Sequence, residues 1–150
     1  MRSMSVFTWP DSTYTHILSN TIGAVQHTGI LVRTSSNWDA GDNEIQGNTI
    51  ATTPPAGVQG MLFQTSGQRV TNNKILGFPI GIHVNPDPAP GFGDMMIGHN
   101  SIENFTQYGI LVQTGLVGTQ VANLQINSIN SRSRSPPVRP LSRCPAMLVS

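Results

Sequence analysis

Charge is scarce in this 150-residue chain: only 10% of its residues are charged and 6% are aromatic. A coiled coil or a charged helical bundle is excluded, because both need Glu, Lys, Leu and Ala at helical spacing. A single cysteine, Cys144, excludes an internal disulfide framework and a cysteine-based zinc site. No apolar run approaches the ~18 residues of a membrane-spanning helix, so no membrane partner is expected. The start, Met1-Arg2-Ser3-Met4-Ser5-Val6, lacks the apolar stretch of a secretory signal. The net charge of +1 is unevenly spread: Arg132, Arg134, Arg139 and Arg143 lie in residues 131–150, which hold no acid. Residues 1–130 then carry four basic side chains (Arg2, Arg33, Arg69, Lys74) against seven acidic ones, a net −3. That is a poor electrostatic footprint for nucleic acid, and none is expected as a partner.

What the chain does have is small and polar residues, with 15 Gly and 11 Pro, arranged in a repeat. An aliphatic, two residues, Asn, one residue and Ile recur five times. The copies are Ile17-x-x-Asn20-x-Ile22, Ile45-x-x-Asn48-x-Ile50, Val70-x-x-Asn73-x-Ile75, Ile97-x-x-Asn100-x-Ile102 and Leu124-x-x-Asn127-x-Ile129. The Asn positions are 28, 25, 27 and 27 residues apart. Between them stand Gly29-Ile30-Leu31-Val32, Gly60-Met61-Leu62-Phe63, Gly81-Ile82-His83-Val84 and Gly109-Ile110-Leu111-Val112. Strict alternation of two motifs at a fixed period is the mark of a solenoid. The second motif alternates with period two, as a half-buried strand does, which puts Ile30, Met61, Ile82 and Ile110 inward and Leu31, Leu62, His83 and Leu111 outward. In the first motif the Asn is expected at a bend, since Asn tolerates the left-handed backbone region. Stacked coils would place successive Asn about 4.8 Å apart, close enough for an amide ladder. A leucine-rich repeat is the rival solenoid. It fails because the places five residues before each Asn (Thr15, Asn43, Gln68, Met95, Ala122) are mostly polar.

The alternation of Gly-Ile-x-Val with Ile-x-x-Asn-x-Ile resembles the right-handed parallel β-helix of pectate-lyase-like proteins and phage tailspikes, over roughly residues 17–130. The expected fold is therefore an all-β right-handed parallel β-helix of about four to five coils. Residues 1–16 are read as an irregular N-terminal segment. Residues 131–150, with four prolines among serines and arginines, are read as a disordered tail. The abrupt change of composition suggests a truncated solenoid, so an oligomer or missing flanking coils are expected.

The stretch from each Gly to the next coil varies most, at 16, 10, 16 and 15 residues. Variable insertions in a solenoid map to loops on one face, often the binding face. Two long loops, Arg33–Glu44 and Asn85–Met96, would flank the short Gln64–Arg69, with Gln64, Gln68 and Arg69 as the floor between them. A sugar site needs an aromatic face and polar groups for hydroxyls. Trp38, Arg69 and Phe92 are the candidate carbohydrate-binding residues, and Asp39, Asp42, Asp87 and Asp94 the candidate catalytic acids, since a pair of carboxylates is the minimum for glycoside hydrolysis. Glu44 lies in the same loop as Asp42.

No cofactor is expected. The four histidines occupy four different places in the coil and cannot stack into a metal site, and His83 reads as a lone surface polar group. Gly91-Phe92-Gly93-Asp94 is similar to one unit of a calcium-binding glycine-aspartate repeat, which leaves calcium as the single metal candidate. The resemblance implies a piece of a polysaccharide-degrading or tailspike-like protein, extracellular or virion-associated, with a polysaccharide as partner. Polygalacturonases of this fold carry an adjacent Asp-Asp pair, Gly-His-Gly and Arg-Ile-Lys, and none of these is present. Catalysis is therefore left open, and a non-enzymatic structural or adhesive module is the alternative.

Overall fold

The computed structural model describes residues 6–8, 14–33, 42–52, 58–85, 92–113, 121–122, 125–127 and 130–133. A first strand, β1 (Val6–Thr8), precedes the first coil of β2 (His16–Leu18), β3 (Thr21–Ile22) and β4 (Thr28–Val32). The second coil is β5 (Asn43–Gln46), β6 (Thr49–Ala51) and β7 (Gln59–Phe63). The third is β8 (Gln68–Thr71), β9 (Lys74–Leu76) and β10 (Ile80–Val84). A short β11 (Phe92–Gly93) leads to the fourth coil, β12 (Met96–Gly98), β13 (Ser101–Phe105) and β14 (Tyr108–Val112). Then come β15 (Val121–Ala122), β16 (Gln125–Asn127) and β17 (Asn130–Ser133).

Every pairing is parallel and joins like strands of successive coils. Sheet A runs β1-β4-β7-β10-β14, sheet B runs β2-β5-β8-β12-β16, and sheet C runs β3-β6-β9-β13-β17. β11 pairs with β15 in a small fourth sheet. This is a parallel β-helix. The strand β1 joins sheet A through Val6↔Ile30 and Thr8↔Val32, so a paired strand lies within the segment read as irregular. Likewise β17 reaches three residues past position 130. The tail from residue 134 onward lies outside the described residues.

The strand phase read from the second motif holds. Ile30, Met61 and Ile82 stack in register, as do Val32, Phe63 and Val84, and all six are buried. Leu31, Leu62, His83 and Leu111 line up on the outer face and are half-buried. Sheet C contributes Ile22, Ile50, Ile75 and Ile102 to the same core. The glycine that opens the motif is required by close approach. A Cβ on Gly60 would strike Ile75 Cγ2 of the next coil and lie 2.7 Å from the Gly81 carbonyl oxygen, and Gly29 and Gly81 meet the same pair of obstacles. The glycine column lets sheet C isoleucines pack directly onto the sheet A backbone.

The Asn ladder is present. Asn20 Nδ2 donates to Asn48 Oδ1 at 3.0 Å, Asn48 Nδ2 to Asn73 Oδ1 at 2.9 Å, and Asn73 Nδ2 to Asn100 Oδ1 at 3.0 Å. Each Oδ1 also accepts the backbone N–H of the preceding Asn, and the amides of Asn48, Asn73 and Asn100 donate to Ile17, Ile45 and Val70 carbonyls. Two expectations about the ladder need correction. The left-handed residue is the one before each Asn: Ser19, Gly47, Asn72 and His99 have φ of 54°, 67°, 56° and 55°. The turn residue points to solvent while the Asn that follows turns its amide inward, so backbone reversal and ladder bonding are divided between two positions. The fifth motif is also out of step: Ile97 pairs with Ile126, not Leu124, and the Asn130 N–H bonds the Asn100 carbonyl. The slip is two residues, and an even slip keeps the inward and outward alternation of the backbone intact.

Candidate functional site

Two polar regions stand on the described surface, one on the outer face of sheet A and one at the corner where sheet A turns into sheet B. The first begins one residue past the Gly-Ile-x-Val motif. The backbone bonds Gln64 N–H to Val32, Asn85 N–H to Phe63 and Gln113 N–H to Val84 extend the strand register by one step. They align Arg33, Gln64, Asn85 and Gln113 in one column. By period-two alternation this column shares the outer face with Leu31, Leu62, His83 and Leu111. Arg33 and Gln113 are exposed, and Gln64 and Asn85 are half-buried.

His83 is tied into this face and is not a lone polar group. Its Nδ1 lies 2.8 Å from Gln59 Oε1 and its Nε2 3.1 Å from Gln113 Oε1. Gln59 Nε2 in turn donates to Thr28 Oγ1 at 3.2 Å. A neutral imidazole donates at one nitrogen and accepts at the other, so only one of the two glutamines can accept from the ring. Gln59 Nε2 is engaged on Thr28, which leaves Gln59 Oε1 to face the ring. A chain of four side chains thus crosses four successive strands of sheet A. Of its members only Gln113 follows a copy of the second motif, whereas Thr28 and Gln59 stand just before the motif's glycine.

The corner between sheets A and B repeats a second left-handed position, three residues before the first aliphatic of each coil. Tyr14, Asp42, Gly67 and Asp94 occupy it, with φ of 66°, 59°, 73° and 55°. Asp and Gly are among the residues that take this conformation at least cost. Asp42 and Asp94 are therefore placed by the backbone turn, with both side chains exposed. The registers Asn43↔Gln68 and Met96↔Arg69 put Gly67 on the rung between them, so their backbones stand about 9.6 Å apart.

Arg69 lies two residues into that corner, exposed on the outer face of sheet B, and pairs in register with Glu44. The structure thus brings Asp42, Glu44, Arg69 and Asp94 together along one edge. The expected floor is altered: Gln68 is only 1% exposed and its side chain turns inward, in line with the buried Asn43 and Met95. A strand beginning at Gln68 must alternate, so Gln68 and Arg69 cannot both face the groove. Trp38, Asp39 and Asp87 lie outside the described residues, and Phe92 is described only through its backbone pairing with Val121.

The profile of the family described as "Protein of unknown function (DUF1565)" matches residues 2–137. No curated protein and no solved structure matches the chain.

Proposed function

We propose for this chain, which belongs to the DUF1565 family, a carbohydrate-associated role in which the solenoid binds a polysaccharide across the outer face of sheet A. One observation carries the reading: the column Arg33, Gln64, Asn85 and Gln113 lies beside the column Leu31, Leu62, His83 and Leu111. A polysaccharide presents hydroxyl edges and apolar ring faces in a regular order. Amide and guanidinium groups next to aliphatic side chains match those two kinds of surface. The acids and Arg69 at the sheet A to sheet B corner extend the polar edge.

The site reads as a binding surface first. Asp42 and Asp94 have a backbone reason for being where they are, since both sit at the left-handed position of the turn. The test is a glycan array followed by calorimetry on the best oligosaccharide. Gln64→Ala combined with Gln113→Ala should weaken binding about tenfold or more, equivalent to about 1.4 kcal/mol. Trp38→Ala should weaken it as well. Binding unchanged in both variants moves the site elsewhere. No binding to any acidic or neutral glycan returns the chain to the structural or adhesive reading, with partner chains as its contacts.

A further inference from the structure

Sheet A differs from the other two long sheets in charge. Its strands β1, β4, β7, β10 and β14 hold no Asp, Glu, Lys or Arg. The strands of sheet B carry Glu44 and Arg69, and those of sheet C carry Lys74, Glu103 and Arg132. The uncharged runs go beyond the strands, since residues 21–32, 45–68, 75–86 and 104–131 contain none of these four residue types. In the polar column next to the sheet, Arg33 is followed on the later rungs by Gln64, Asn85 and Gln113. One cation thus stands at the first rung, and neutral amides stand at the other three.

Sheet A also presents an aromatic ring of its own. Tyr108 opens β14 and is 52% exposed, whereas Phe63 and Phe78 are buried in the core. Tyr108 is in register with Ile80, and Ile80 with Gln59. The contact between Gln59 Oε1 and His83 Nδ1 places that register column on the outer face, beside the His83 column. The Ile80 N–H bonds the Val58 carbonyl, and the Tyr108 N–H bonds the Pro79 carbonyl. Val58, Pro79 and Tyr108 therefore occupy three successive rungs where sheet C turns into sheet A. Val58 is 54% exposed, so an apolar ridge that includes the ring runs along this corner.

We propose that the ligand of sheet A is a neutral polysaccharide and that Tyr108 is the platform for one of its ring faces, an inference that rests on the carbohydrate-binding reading above. A carboxylate or sulfate laid on this face gives up water, and among the described residues of the face only Arg33 offers a formal charge in return. A sugar hydroxyl both donates and accepts, as an amide side chain does, so Gln64, Asn85 and Gln113 satisfy hydroxyls without any net charge. The ring face of a pyranose carries hydrogens bound to carbon, which suit the electron-rich face of an aromatic ring. Tyr108 is already half open to water, so stacking on it buries apolar area and leaves the core unchanged.

A glycan array on the full chain tests the proposal, with cello-, manno- and xylo-oligosaccharides set against oligogalacturonate and sulfated glycans. Calorimetry on the best binder follows, at low and at high salt. Neutral oligosaccharides should bind, with an affinity that changes less than about twofold with salt. Tyr108→Ala and Tyr108→Leu should each weaken binding about tenfold or more, and Tyr108→Phe should stay within about threefold of the wild-type chain. Leucine keeps the apolar bulk and lacks the ring, so this variant separates stacking from a loss of fold. Binding confined to oligogalacturonate or sulfated glycans, and falling steeply with salt, would overturn the neutral class and leave the carbohydrate-binding reading standing. Neutral binding unchanged in Tyr108→Ala would overturn the platform. Binding to no glycan on the array would overturn that reading and this inference together.

Discussion

The two corners that flank sheet B use one backbone device and reach different ends. At the corner toward sheet C the left-handed residues are Ser19, Gly47, Asn72 and His99, and the inward residues that follow are Asn20, Asn48, Asn73 and Asn100. At the corner toward sheet A the left-handed residues are Tyr14, Asp42, Gly67 and Asp94, and those that follow are Thr15, Asn43, Gln68 and Met95. In the second to fourth coils both corners bury the residue after the turn, and in the first coil Thr15 and Asn20 are half-buried. At the first corner identical amides propagate from coil to coil. At the second the residue type changes at every rung, and Asn43 Oδ1 accepts the Thr15 backbone N–H at 2.8 Å. The turn is thus the constant of the solenoid. The ladder is an addition that works only when one amide meets its like on the next rung. The heterogeneous corner is also the one joined by loops of unequal length, and it carries Asp42, Glu44, Arg69 and Asp94.

The sharpest way to break this contrast is Asn73→Val. It removes a buried amide that donates to Ile45 and Asn100 and accepts from two groups of Asn48. Several buried polar groups then lose partners together, and the loss should be about 3–5 kcal/mol in denaturant unfolding. A loss below about 1 kcal/mol would mean that the ladder is incidental to stability. Next in size is His99→Ile, which forces a β-branched residue to φ near 55°. It should cost about 1–2 kcal/mol, whereas His99→Gly should cost nothing measurable. Equal effects of the two would argue that the His99 side chain matters and its backbone does not.

Smaller effects belong to the other corner. Gln68→Met should cost about 1 kcal/mol, because the volume is nearly conserved and Met95 already fills the same place one rung on, while the bond from Gln68 Nε2 to the Ser66 carbonyl is lost. A cost as large as that of Asn73→Val would show a second ladder of equal weight. Smallest of all is Asp94→Gly, which should leave the melting temperature within about 1–2 °C, since Gly67 occupies that place in the neighbouring coil. If the acid contributes to glycan binding, the same variant lowers affinity with the fold intact, which separates its conformational role from a chemical one.

Much of the fold was legible in the order of residues. Two alternating motifs set the solenoid, the strand phase and the Asn column, because burial with period two and the stacking of like side chains are local rules repeated at each coil. The site was less legible. Loop lengths pointed to an edge along which the structure places Asp42, Arg69 and Asp94. Reading Gln68 as floor failed because a residue's face depends on where its strand begins, and Gln68 lies one residue past the left-handed Gly67. His83 was read as solitary because its partners, Gln59 and Gln113, lie 24 and 30 residues away.

By itself, the sequence determined which residues repeat, how often, and which of them alternate toward a core. Those follow from composition and spacing, which are properties of the chain alone. Only the tertiary structure decided which residue of each bend takes the left-handed backbone, that the fifth coil slips by two positions, and that Thr28, Gln59, His83 and Gln113 join across four strands. These depend on which atoms of different coils come within hydrogen-bond reach, and that is settled only when the coils stack at ~4.8 Å.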